Sequence, residues 1–184
     1  MKYIATMALM LNLSVASIYA QHQPVKMTFS GTAGPTPVNL QLPNTTNDEE
    51  NYAGNGTFGQ FTFRNVRAAT AFPQTSSTCS GPNKLAFSSV SGAGVFRFHD
   101  GSLLMVNLTG GTDCIDLAVG QAHCVWTFLI TGGTGRFRDA GGSITLTETV
   151  VPVLANNPVF FAATGEFTGS IYGVAKDEDH HEDR

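Results

Sequence analysis

Residues 130–142 read ITGGTGRFRDAGG, a glycine-dense stretch set between two runs of alternating apolar and polar residues. Gly132, Gly133, Gly135, Gly141 and Gly142 surround one aromatic, Phe137, and two arginines, Arg136 and Arg138. Glycine tolerates the positive φ that bulges and tight turns require, so the stretch reads as a bulged corner joining two strands. Phe137 is then the ring that plugs the barrel or sandwich beneath. Gly132, Gly133, Gly135 and Phe137 are read as structural residues of that corner.

Working outward, period-two alternation broken by glycine dominates, and no helix-period segment of any length follows the first twenty residues. Residues 122–131 place Trp126, Phe128 and Ile130 on one face. Residues 143–151 set Ile144, Leu146 and Val150 against a threonine face of Thr145, Thr147 and Thr149. Further strands are expected over 26–32, 55–66, 84–89, 94–98, 102–109 and 159–174, with a hairpin turn at 99–102. The long stretches 33–54, with the acidic trio Asp48-Glu49-Glu50, and 67–83 are expected to be loops, mobile or lid-like. About eight antiparallel strands can close into a calycin-like barrel, filled or holding one small ligand, with a two-sheet sandwich as the second choice.

The remaining composition places the chain. Residues 1–20 pair a positive Lys2 with a short apolar run ending in Ile18-Tyr19-Ala20, a signal peptide for export rather than a membrane anchor. A single β-barrel domain over 21–175 and an acidic, disordered tail over 176–184 are expected to follow. The net charge of −4, with no basic stripe, disfavours a phosphate backbone, so nucleic acid is not an expected partner. Three cysteines in an oxidising compartment leave one unpaired. Cys114 and Cys124 bracket a loop-like insert, and closing it would stabilise by roughly 2–3 kcal/mol; Cys79 is the competing partner for Cys114. No CxxC spacing accompanies the thiols, and neither metal nor cofactor is expected. His180 and His181 among acids suggest at most a loose metal-binding tail.

The corner also carries a resemblance. GGTGRF at 132–137 resembles a segment of the dirigent and allene oxide cyclase superfamily, and looks more like small secreted bacterial proteins with an allene-oxide-cyclase-like barrel. The threonine-rich strand from Ser143 to Thr147 and the sequence TGEFTG at 164–169 fill the places that follow the corner in those proteins. The similarity covers the last third of the chain best. It implies an eight-stranded antiparallel barrel with a small apolar cavity, in a dimer or trimer. Plant members cyclise a fatty-acid epoxide or steer phenoxy-radical coupling, but their functional residues do not map onto this chain.

Among candidate site residues, Glu148 falls on the same face as Ile144, Leu146 and Val150. That places a carboxylate in the lumen as an acid, base or ligand anchor, or at a wet rim if the strand ends near Pro152. Trp126 and Phe128 either floor a pocket or are plain core. Arg136, with Arg138 and Asp139, either draws an acidic head group or makes local ion pairs of little worth. No serine sits in a G-x-S-x-G elbow, and no helix follows GGTGRF to make a phosphate site. These residues suit a secreted protein binding a small apolar molecule. The alternatives are an interaction protein with a filled barrel, and a cavity enzyme of cyclase or isomerase type in which shape does most of the work.

Overall fold

The computed structural model describes residues 22–154 and 160–175. Expectations for residues 1–20 and for the tail over 176–184 lie outside the described residues. Eight strands, β1 (Gln23–Pro35), β2 (Thr45–Gly56), β3 (Phe61–Thr70), β4 (Lys84–Phe98), β5 (Leu103–Asp116), β6 (Gln121–Gly133), β7 (Gly141–Leu154) and β8 (Phe160–Tyr172), form a closed barrel in chain order. Every neighbouring pair is antiparallel, and β8 returns to β1. A closed barrel leaves no sheet edge unpaired. The sandwich alternative is thereby set aside.

Alternation decides what fills the lumen. Val25, Met27 and Phe29 of β1 point inward, as do Trp126, Phe128 and Ile130 of β6 and Ile144 and Leu146 of β7, all buried. Aromatic rings pack the middle: Phe63 lies 4.3 Å from Phe96, and Phe96 4.9 Å from Phe167, centroid to centroid. Such ring pairs contribute about 0.5–1.5 kcal/mol each beyond the area they bury.

One end is plugged. The corner of residues 134–140 contains a single 3-10 turn, Gly135–Phe137, and drops Phe137 into the lumen. There its ring lies 4.7 Å from Phe98 and 5.4 Å from Phe58. Gly135 has φ +58°, and a Cβ there would collide with the Ser102 side chain, so this position needs glycine twice over. Arg136 braces the plug: Nη2 donates to the Phe58 carbonyl at 2.6 Å, Nε sits 3.2 Å from Asp100, and the guanidinium lies over the Phe98 and Phe137 rings.

Several expectations are corrected. The acidic trio is not in a loop but in β2, the expected strand over 55–66 is instead the end of β2, a turn at 57–60 and the start of β3, and β3 runs on to Thr70. Residues 84–89 and 94–98 are one strand, β4: Gly92 and Gly94 pair in register with Arg67 and Asn65, and a bulge at Val90 opposite Ala68/Ala69 shifts the register without ending the strand. The disulfide joins Cys79 to Cys114, with Cα atoms 5.5 Å apart, and Cys124 is a buried free thiol. Strand parity explains the pairing. Cys114 pairs across the ladder with His123, so its side chain lies on the outer face, whereas its neighbour Asp113 pairs with Cys124 and both face inward. The loop after β3 brings Cys79 to that outer face.

Two outcomes follow. Gly135→Val should lower unfolding stability by about 2 kcal/mol or more, from left-handed backbone strain plus overpacking, read by denaturant titration; a wild-type midpoint would contradict the corner geometry. Under non-reducing conditions the native chain should show no rapidly reacting thiol, and one per chain after unfolding. Reducing the bridge, which spans 35 residues, should remove about 3–4 kcal/mol.

Candidate functional site

The end opposite the plug is open. Inward positions of the strands that reach it enclose a cavity of about 490 Å³, within the size range of small-molecule sites. Ala69, Phe87, Ile115, Val150 and Phe161 supply apolar walls, while Asp48, Arg67, Asp113, Cys124 and Glu148 also line it. Most of the polar residues lie one inward step deeper than an apolar wall residue on their own strand. Arg67 sits below Ala69, Asp113 below Ile115, and Glu148 below Val150, while Asp48 sits below Thr46. The mouth is therefore mostly apolar and its floor ionisable.

The floor is a connected network around one cation. Arg67 Nε donates to Glu50 Oε1 at 2.8 Å, and Nη1 donates to Asp113 Oδ2 at 2.9 Å and to Ser89 Oγ at 3.0 Å. Its Nη2 lies 3.6 Å from Asp48, and its guanidinium stacks 4.3 Å from the Trp126 ring centroid. Asn65 Nδ2 donates to the other Glu50 oxygen at 2.7 Å, and Trp126 Nε1 donates to Asp113 Oδ1 at 2.6 Å. Glu50 is 0 % exposed, Glu148 2 %, Asp113 7 % and Arg67 8 %. Removing one partner from so buried a set leaves an uncompensated charge, which costs several kcal/mol.

Glu148 stands apart. Across the ladders it faces Cys124 on β6 and Gly165 on β8, and Gly165 has no side chain to crowd it. The Tyr52 hydroxyl neighbours its carboxyl, yet neither that hydroxyl nor Glu148 Oε2 closes a hydrogen bond of good geometry. Burial pushes the Glu148 carboxyl up to about 8, opposed by Tyr52 and Arg67 and reinforced by Glu50 and Asp113. Burial also raises Glu50 to about 7, against the pull of Arg67. The Asp48 carboxyl rises for the same reason, and burial drives the Cys124 thiol upward, so it is no thiolate nucleophile. A protonated Glu148 can donate a hydrogen bond or a proton to a molecule in the cavity; ionised, it accepts one.

Of the residues singled out in the sequence, Glu148 lines the cavity. Trp126 lies under Arg67 as part of the floor. Phe128 is core, packed edge-on to Phe63 at 6.0 Å, and is not among the cavity-lining residues. Arg136 belongs to the plugged end, over the Phe98 and Phe137 rings, and is not among the residues that line this cavity. Arg67, Asp48, Glu50 and Asp113 escaped notice, although a signal existed. Asp48, Glu50 and Tyr52 are spaced by two, and Asn65 and Arg67 continue the inward series of Phe61 and Phe63. Among the described residues no group of three or more His, Cys, Asp or Glu is arranged to hold a metal ion, and no helix is long and apolar enough to cross a membrane.

No family model matches this chain, and no curated protein matches it either. Among solved structures it is similar to a dirigent protein, a pterocarpan synthase, at 11 % identity and a TM-score of 0.38, over 85 % of this chain and 87 % of that one. The two chains are thus matched nearly end to end, at a superposition that transfers no residue roles.

The raised carboxyls make stability depend on pH with a definite sign. Between their ordinary value of 4.5 and about 7 for Glu50 or 8 for Glu148, the native chain holds protons that the unfolded chain has lost. Stability is therefore greatest at the acidic edge of that window. It should fall as pH rises through it, by up to about 1.4 kcal/mol per unit for each group, and level off above. Glu148→Gln should remove most of the slope between pH 7 and 8, in denaturant unfolding followed from pH 5 to 9. Stability rising with pH across that window would exclude the buried, protonated carboxyls.

Proposed function

We propose that this is an exported β-barrel protein that binds a small, mostly apolar molecule in the open end of its lumen. One observation carries the reading: apolar walls surround a few buried polar groups, one of which, Glu148 Oε2, lacks a partner inside the protein. Buried polar groups are normally satisfied, and those that are not tend to mark functional sites. The filled, ring-packed middle and the Phe137 plug confine the ligand to the mouth, so the site takes a compact body rather than a chain threaded through the barrel. Export is supported by the Cys79–Cys114 disulfide, a bond that persists in oxidising compartments, and by the leader-like residues 1–20.

A second reading, a cyclase or isomerase working by cavity shape, is favoured by the same Glu148 carboxyl, protonated near neutral pH and placed for general acid catalysis. It requires that Glu148→Gln still bind the molecule but fail to convert it.

Binding can be tested with N-phenyl-1-naphthylamine, an uncharged fluorophore at neutral pH. Its emission should rise with saturation at one site per chain. Ala122→Phe, which places a ring at the cavity mouth, should weaken binding at least tenfold while leaving the unfolding midpoint nearly unchanged. Trp126, the single tryptophan, stacks on the floor and supplies an independent signal. Equal binding by wild type and Ala122→Phe would move the ligand elsewhere.

A further inference from the structure

The charge on the cavity floor does not balance. Asp48, Asp113 and Glu148 line the lower cavity, Glu50 lies fully buried against Arg67, and Arg67 is the one cation among them. Arg67 is already engaged: Nε donates to Glu50 and Nη1 to Ser89 and Asp113, while Nη2 lies 3.6 Å from Asp48 and the guanidinium sits 4.3 Å from the Trp126 ring centroid. Glu148 receives no ion pair and retains an unpartnered, buried oxygen. A ligand carboxylate or phosphate entering here would meet three lining carboxyl groups, and the Arg67 charge is already compensated by its ion pairs with Asp48, Glu50 and Asp113. A ligand cation would find in Glu148 a buried carboxyl that lines the cavity and has no ion-pair partner.

We propose that the cavity selects a small organic cation, an ammonium group on an apolar body, with Glu148 as the group that receives it. The inference rests on the binding function assigned above and narrows it to a ligand class. Coulombic attraction is strong where water is excluded, and a buried carboxylate is tolerated once paired with a hydrogen-bonded cation. Protons now neutralise the floor, and an ammonium would replace one of them. On binding, the Glu148 proton leaves to solvent and the carboxylate accepts hydrogen bonds from the ammonium. The groups that face this exchange are Tyr52 and Glu50 from β2, Arg67 from β3, Asp113 from β5 and Cys124 from β6; opposite on β8 lies Gly165, which does not titrate. The apolar body would rest against Ala69, Ile115, Val150 and Phe161.

Three probes with one body separate the possibilities: hexylamine, 1-hexanol and hexanoate, titrated calorimetrically into the purified protein at pH 7. Hexylamine should bind at least tenfold more tightly than 1-hexanol, and hexanoate should give no measurable binding. Its heat should vary with the ionisation enthalpy of the buffer, as proton release requires. Glu148→Gln should erase the preference for amine over alcohol. If 1-hexanol binds as well as the amine, or hexanoate binds best, cation selection is overturned while the cavity remains a binding site. If the variant keeps the amine preference, Glu148 is not the receiving group. If none of the three gives heat or shifts the melting temperature, the binding function fails together with its refinement.

Discussion

A single guanidinium organises the inside of this barrel. Arg67 reaches from β3 across the lumen to carboxylates on β2 and β5 and a serine on β4 and lies against the β6 tryptophan, so it ties five of the eight strands together below the mouth. Buried ionic groups are expensive to desolvate, and apolar replacements often match or exceed their stability. Such a network is therefore poorly explained as a device for stability alone. The rings of Phe61, Phe63, Phe96 and Phe167 already fill the middle at far lower cost. What the network adds is a polar, desolvated surface held rigid from several directions, which is what recognition of a small molecule demands.

The barrel divides into three levels with different chemistry. At one end Phe137 closes the lumen, under the guanidinium of Arg136. The middle is a packed aromatic core. At the other end the inward positions turn first ionisable, then apolar again at the rim. The same strands supply all three levels, because each inward series simply changes residue type along its length: Phe61, Phe63, Asn65, Arg67, Ala69 on β3, or Ile144, Leu146, Glu148, Val150 on β7. The fold is thus set by the spacing of inward residues, and the site by their identity at one level.

That distinction explains what could be read from the sequence. Strands whose inward residues are apolar announce themselves, and β6 and β7 follow their alternation closely. Glu148 was legible because it continues the series of Ile144 and Leu146. β2 was lost for the opposite reason: its inward residues Asp48 and Glu50 are charged, and a run of acids next to asparagine and proline reads as a solvated loop. β2, which carries two of the floor carboxyls, has the least hydrophobic inward series, so there the site hid the element that bears it. The disulfide turned on strand parity, which cannot be assigned until the β5–β6 register is known. The apparent interruption in β4 came from Gly92 and Gly94, which stay in the ladder where the β3 backbone and Phe63 leave no room for a Cβ.

The closing seam has its own consequence. Seven of the eight ladders join strands adjacent in the chain and can form as hairpins; the eighth, β1 with β8, joins segments far apart in sequence and pairs eleven residues of each strand. Until that seam zips, the barrel is an open curved sheet, and water reaches Arg67 and its carboxylates from the side. The desolvation penalty of the charged floor is therefore levied late in folding, when loop-closure entropy is also at its largest. In kinetic terms the network should contribute little to the folding nucleus. Its weight falls on the last barrier and on the rate at which the closed barrel reopens.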